Sequence, residues 1–260
     1  MALSELFLER IVLQEAIPQD RYYAGLPVVQ HLQKAGALRF TRPVTFLVGE
    51  NGAGKSTLLE AIAVKLGFNP EGGTVNFRFE TAGTHADLHE FLGLGRGVRR
   101  PKDGFFLRAE SFYNAASYLE ELQKQDSRAL DSYGGVSLHA LSHGESFLAL
   151  VENRFQRPGL YLLDEPEAAL SPVRQMTLLC HMQRLAEGGS QLIVSTHSPI
   201  LMSLPGAEVL ELTQQGIRSV PYEQTEHFQV TRQFLQDPDR MHRLLGLGRF
   251  ANDQKHDTMD

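Results

Sequence analysis

The sequence predicts an α/β fold in which a mostly parallel sheet is flanked by helices. Two observations predict it. Short apolar runs at residues 44–48, 160–163 and 191–195 are nearly continuous rather than alternating, as strands buried on both faces are. Segments with helical apolar spacing stand beside them, at 55–66, 145–155 and 172–186, and such alternation of strand and helix builds parallel sheets.

Along the chain, residues 8–13 alternate well enough for a strand, and residues 18–43 are mixed. Residues 44–48 form a buried strand that ends in Gly49, and Leu58, Leu59, Ile62 and Leu66 then fall on one side of a helix. Residues 74–80 alternate as a strand, and the Gly- and Arg-rich segment 93–104 reads as a loop. Residues 105–109 read as a strand, 111–124 as a helix capped by Ser111, and 127–142 as loop-like around Gly134-Gly135. The helix at 172–186 is stopped by Gly188-Gly189, and residues 209–212 supply a further strand. The tail at 251–260 is short and polar, and residues 1–250 read as a single domain.

A chain of 260 residues can bury a core without staples. Its net charge of −6 disfavours general coating of nucleic acid, so any such contact needs a local basic patch. Cys180 is the one cysteine, expected as a buried small residue, and no internal disulfide can form. No apolar run approaches the roughly 18 residues needed to span a bilayer. Glu5 and Glu9 interrupt the first apolar stretch, which is no secretory signal. A cytoplasmic protein without direct membrane insertion is the expectation.

Residues 49–56 read Gly49, Glu50, Asn51, Gly52, Ala53, Gly54, Lys55, Ser56, fitting G-x-x-x-x-G-K-[ST]. Glycines let the backbone curl so that several N–H groups face one phosphate, and the helix adds its positive end. Lys55 can reach the β- and γ-phosphates of a nucleotide, ATP or GTP, Ser56 can ligate Mg²⁺, and Thr57 can add a phosphate contact. The strand at 160–163 ends in Asp164 and Glu165. Asp164 suits the metal, and Glu165 suits the orientation and deprotonation of the attacking water. His197, in Ser-Thr-His-Ser-Pro after the next buried strand, would face the γ-phosphate.

Residues 141–146 read Leu-Ser-His-Gly-Glu-Ser, and with these motifs in this order the chain resembles the ABC ATPase superfamily over about residues 8–212. The resemblance implies a P-loop NTPase fold of the ABC type, with a helical subdomain at about residues 84–156. It implies ATP held between two heads of a homodimer, with Ser142 and Gly144 meeting the γ-phosphate from the partner head and Glu145, the next signature residue, opening the helix whose positive end faces it. Taken alone, Ser142 and Glu145 would be an ordinary capping box. His143 stands where most members have glycine, and Ser171 where aspartate is usual. No glutamine occupies the position before the helical subdomain that usually carries one; Glu110 is expected there, at a strand end and near the metal. Asp-Glu-Pro-Glu with Leu-Ser-Pro looks more like chromosome-maintenance and recombination-repair heads than transporter subunits. No sustained heptads fill the interval where those heads carry an arm, so the chain looks similar to the stand-alone bacterial ATPases of that branch.

Arg96, Arg99, Arg100 and Lys102 are a candidate contact for nucleic acid, weighed against a solvated loop. Tyr22 and Tyr23 are expected to pack rather than stack on adenine. His85, Asp87 and His89 are expected to face solvent rather than hold a metal, because i and i+2 do not share a helix face. Three functions remain in play: a hydrolase driving head dimerisation, with DNA repair, maintenance or defence as candidate settings, an ATP-gated binding module, and a transporter's ATPase subunit.

Overall fold

The computed structural model describes residues 5–74, 86–109, 143–155 and 158–248. Among these residues the strands form two sheets. The smaller is antiparallel, with β1 (Leu8–Leu13) between β2 (Ala37–Arg39) and β4 (Leu92–Arg96). The larger has six strands in the order β5 (Asp103–Arg108), β6 (Gly159–Asp164), β7 (Gln191–Ser195), β3 (Val44–Gly49), β8 (Glu208–Thr213) and β9 (Gly216–Ser219). Neighbours from β5 to β8 are parallel, and β9 closes the edge as a hairpin with β8.

The continuous apolar runs are explained by a sheet covered on both sides. Strand residues alternate between two cores, as a period of two requires. Leu47, Leu162, Ile193 and Leu210 face α1 (Pro27–Ala35) and α2 (Lys55–Leu66), with the small sheet beyond. Phe46, Val48, Tyr161, Leu163 and Val194 face α4 (His143–Arg154) and α5 (Pro172–Glu187). The short α3 (Leu88–Phe91) leads into β4, and α6 (Pro199–Met202) follows β7. The chain then runs into α7 (Glu226–Gln236) and α8 (Pro238–Leu244), neither of which buries a residue. Among the described residues no helix is long and apolar enough to cross a membrane.

One buried amide ties the two sheets together. Gln191, at the start of β7 and 1% exposed, accepts from the N–H groups of Phe7 and Leu8 at 2.9 Å each. It also donates to the Leu8 carbonyl at 2.8 Å.

The structure corrects several expectations. The segment 93–104 is no loop, since it contains all but the first residue of β4 and the start of β5. Its glycines are what let β4 pair with β1: a Cβ at Gly95 would lie 2.4 Å from Arg10 Cγ, and one at Gly93 2.9 Å from Val12 Cγ2. The mixed stretch 18–43 contains α1 and β2. Cys180 is exposed, because Leu178, Met182 and Leu185 form the buried face of α5 and Cys180 points away from it. The strand that was to end at Glu110 ends at Arg108. Glu110 itself, Ser142, His85, residues 75–80 of the strand expected at 74–80 and the helix expected at 111–124 lie outside the described residues.

Candidate active site

Parallel pairing brings the strand ends level. Arg108 pairs with Asp164 and Asp164 with Ser195, while Leu47 also pairs with Ser195, so the chemistry-bearing residues leave the sheet side by side. This is the carboxyl edge, where ligands of open α/β sheets bind.

The loop from β3 to α2 demands glycine at two positions. Gly49 has φ 141°, and a Cβ there would sit 2.4 Å from the Leu212 carbonyl. Gly54 has φ 92°, with Val28 Cγ1 2.5 Å from its virtual Cβ. Helix α2 has no side-chain cap, which leaves its first N–H groups to an anion. Lys55 is 4% exposed and donates to the carbonyls of Gly49 (2.7 Å) and Glu50 (3.0 Å). Burial lowers its pKa, while Glu165, Asp164 and Glu167 pull the other way. Asn51 and Gly52 are exposed at the loop tip, Ala53 is buried beneath it, and Thr57 is half-buried in the first turn of α2.

Ser56 Oγ donates to Asp164 Oδ1 at 2.9 Å. Burial raises the Asp164 pKa, against the Ser56 bond and the nearby Arg108 charge. Arg108 was not singled out from the sequence. Its Nη1 meets Glu60 Oε2 at 2.6 Å and its Nε lies 3.7 Å from Asp164 Oδ2. A cation therefore stands beside Asp164, near where the sequence led us to expect the carboxylate of Glu110. Only strand register brings it there. The hydroxyl of Ser56 and the carboxylate of Asp164 are hard oxygen donors that touch across a cleft of about 510 Å³, so these residues fit Mg²⁺.

Glu165 is the only non-glycine residue among those described with positive φ, at 49°. Its N–H bonds the Ser195 carbonyl at 2.9 Å, which holds this left-handed turn against a cost of about 1–2 kcal/mol. The turn directs the carboxylate toward His197, whose Nε2 is 3.7 Å from Glu165 Oε1. The His197 backbone N–H donates to Glu167 Oε1 at 2.6 Å. Burial raises the Glu167 pKa and lowers that of His197, with Lys55 and His227 adding to the latter. His227, in the first turn of α7, places Nε2 2.9 Å from His197 Nδ1. No sequence signal marks His227, which stands outside every motif.

Of the signature residues, Gly144 and Glu145 are among those described. Gly144 is buried, and a Cβ there would meet Arg174 Nη1 at 2.7 Å and the Ala169 carbonyl at 2.8 Å. Glu145 accepts from Arg174 at 2.9 Å. The start of α4 thus packs on α5 and on the turn after Glu165. Arg96, Arg99 and Arg100 are at the opposite edge of the sheet, around a cleft of about 310 Å³ that reaches Asp103 and Leu160. Tyr22 is 74% exposed, whereas Tyr23 is buried and donates its hydroxyl to Asp87. Arg21 also pairs with Asp87, at 2.8 Å, so this carboxylate is engaged by protein groups and does not simply face solvent as expected.

Comparison with known proteins shows what the chain is similar to. The family model "AAA domain, putative AbiEii toxin, Type IV TA system" matches residues 104–203, and the model "AAA domain" matches residues 30–97. A "Putative ABC transporter ATP-binding protein" of Streptomyces coelicolor is 28% identical, over 67% of this chain and 66% of its own length. The chain thus spans just under two thirds of that relative. A protein of the same description from Caldanaerobacter subterraneus is 30% identical, over 58% of this chain and 68% of its own length. The solved structure of cbiO1 from Clostridium perfringens, part of the ABC transporter complex cbiONQ, shares 16% identity at a TM-score of 0.48, over 93% of this chain and 100% of that one. With the phosphate loop, the acid pair and the histidine assembled at one sheet edge, and with a relative covered at that identity, the chain belongs to the ABC-type P-loop ATPases.

Proposed function

We propose that this chain hydrolyses ATP between two copies of itself, and that nucleotide-dependent closure and opening of the pair is its output. The meeting of Ser56, Asp164, Glu165 and His197 at one end of the sheet carries this reading. The phosphates lie on the N–H groups of residues 49–57, and Lys55 exchanges its carbonyl partners for phosphate oxygen. Ser56 and Asp164 hold Mg²⁺, which when bound offsets negative charge on the β- and γ-phosphates. Glu165 orients a water and takes its proton as the water oxygen bonds to the γ-phosphorus. The bond from that phosphorus to the bridging oxygen breaks, and ADP leaves with the electron pair. His197 presents its ring to the γ-phosphate. Ser142 and Gly144 of a second copy complete the site, with Glu145 at the same helix start; Gly144 of one chain packs on Ala169 in the turn after its own Glu165. Closure therefore reaches the turn that holds the base. The reading places the protein in the cytoplasm.

The test is the solution mass of Glu165→Gln with and without ATP·Mg²⁺. The variant keeps nucleotide binding and lacks the base, so a dimer that forms only with nucleotide is the expected result. A mass that stays monomeric overturns pairing with itself.

Two other observations favour further roles. Five cationic side chains and one carboxylate line the cleft around Arg96, Arg99 and Arg100, which suits a nucleic-acid backbone in an otherwise acidic chain. DNA repair, maintenance or defence would follow from such a partner, as would an ATP-gated module. Stimulation of hydrolysis by DNA, lost when the three arginines are neutralised, supports this role; indifference to DNA and RNA removes it. The names of the relatives favour a transporter subunit, and co-purification of a membrane protein from cells is the corresponding test.

A further inference from the structure

Helix α7 lies beyond the last motif, yet its first turn reaches the site. Thr225, 0% exposed, caps it by accepting from the Phe228 N–H at 3.3 Å while donating to the Tyr222 carbonyl at 2.8 Å. The position of the next residues is thereby set, although α7 buries none of its side chains. Between them the His227 ring stands 5.0 Å from the His197 ring, tilted by 57°, with Nε2 and Nδ1 at hydrogen-bond distance.

We propose that His227 is a positioning residue for hydrolysis: its Nε2–H donates to Nδ1 of His197 and holds His197 as the tautomer that carries its proton on Nε2. The assignment follows from the other side of the ring. His197 Nε2 is buried without a hydrogen-bond partner among the described residues and faces the Glu165 carboxylate at 3.7 Å. A carboxylate only accepts, so a proton on Nε2 is attracted and a bare lone pair there is repelled. A neutral His197 protonated at Nε2 has an accepting Nδ1, and the nitrogen opposite must then donate. Burial and the Lys55 charge keep both rings toward the neutral form. With its proton on Nε2, His197 offers a donor both to Glu165 and to a γ-phosphate oxygen. With the other tautomer it would offer a lone pair to two anions. His227 thus links the C-terminal helices to the reacting end of the nucleotide.

The inference rests on the hydrolysis reading, and its test separates the two. His227→Ala is expected to lower kcat about tenfold or more with KM for ATP nearly unchanged, while His227→Gln, whose amide can donate, recovers most of the rate. In a His197→Ala background, His227→Ala is expected to have no further effect. An unchanged kcat in His227→Ala, or losses that multiply in the double variant, overturns the proposal. Nitrogen-15 shifts of the His197 ring in the unaltered protein decide it without any variant: protonated Nε2 with bare Nδ1 is expected, and the reverse tautomer overturns it. Absence of ATP turnover in the unaltered protein would instead defeat the hydrolysis reading, with the tautomer still measured.

Discussion

Arg108 sets two properties of the site in opposite directions. Its guanidinium neutralises Glu60 and stands beside Asp164, so it stabilises the folded chain while opposing a second cation at the same carboxylate. Arg108→Met should lower stability by about 2 kcal/mol, because it removes the guanidinium that meets the part-buried Glu60 carboxylate at 2.6 Å. It should also lower the Mg²⁺ concentration needed for half-maximal turnover, which a metal titration of activity reads directly. His31 gives a cleaner proton-linked prediction. Its Nδ1 accepts the Ile217 N–H at 3.0 Å, and burial lowers its pKa from 6.5. The unfolded chain therefore takes up this proton more readily. The contribution of neutral His31 is complete above the ordinary value and fades as pH falls through the folded one. His31→Asn keeps an acceptor that does not titrate. Melting curves from about pH 7.5 to about pH 5.5 should show a steeper loss for the unaltered protein than for the variant.

At the scale of elements, β1 is held to the main sheet by a side chain as well as by apolar packing. Gln191→Ala removes three hydrogen bonds and leaves two N–H groups and a carbonyl of 7–8 without their partner. A loss of about 3 kcal/mol in urea unfolding is expected. ATP affinity should hardly change, because Gln191 begins β7 and the site lies at its far end. Strand β4 shows how an element escapes a reading by composition. Glycine and arginine are loop-like in isolation. Here glycine is needed because the β1 side chains of Arg10 and Val12 occupy the space where a Cβ would stand.

At the scale of the molecule, ligand binding and folding are linked. The P-loop draws on β3, α2 and contacts to Val28 and Leu212, all of which exist only in the folded chain. ATP·Mg²⁺ at a hundredfold excess over its Kd should raise stability by about 2.7 kcal/mol. Lys55→Ala should abolish that gain in a thermal-shift titration; a variant still stabilised as much would show that Lys55 does not hold phosphate.

Strand, glycine loop and helix at residues 44–66, the acids Asp164 and Glu165, and His197 were all determined by the sequence itself. Their signals are local: the torsional freedom of glycine, the period of apolar residues, and an acid at the end of a buried run. Only the tertiary structure decided that β4 is a strand, that Gln191 docks β1, that Arg108 meets Asp164 and that His227 meets His197. Arg108 is separated from Asp164 by 56 positions and Gln191 from Leu8 by 183. Such encounters depend on strand register and on which faces pack, and both come from burying two cores at once rather than from any preference of neighbouring residues.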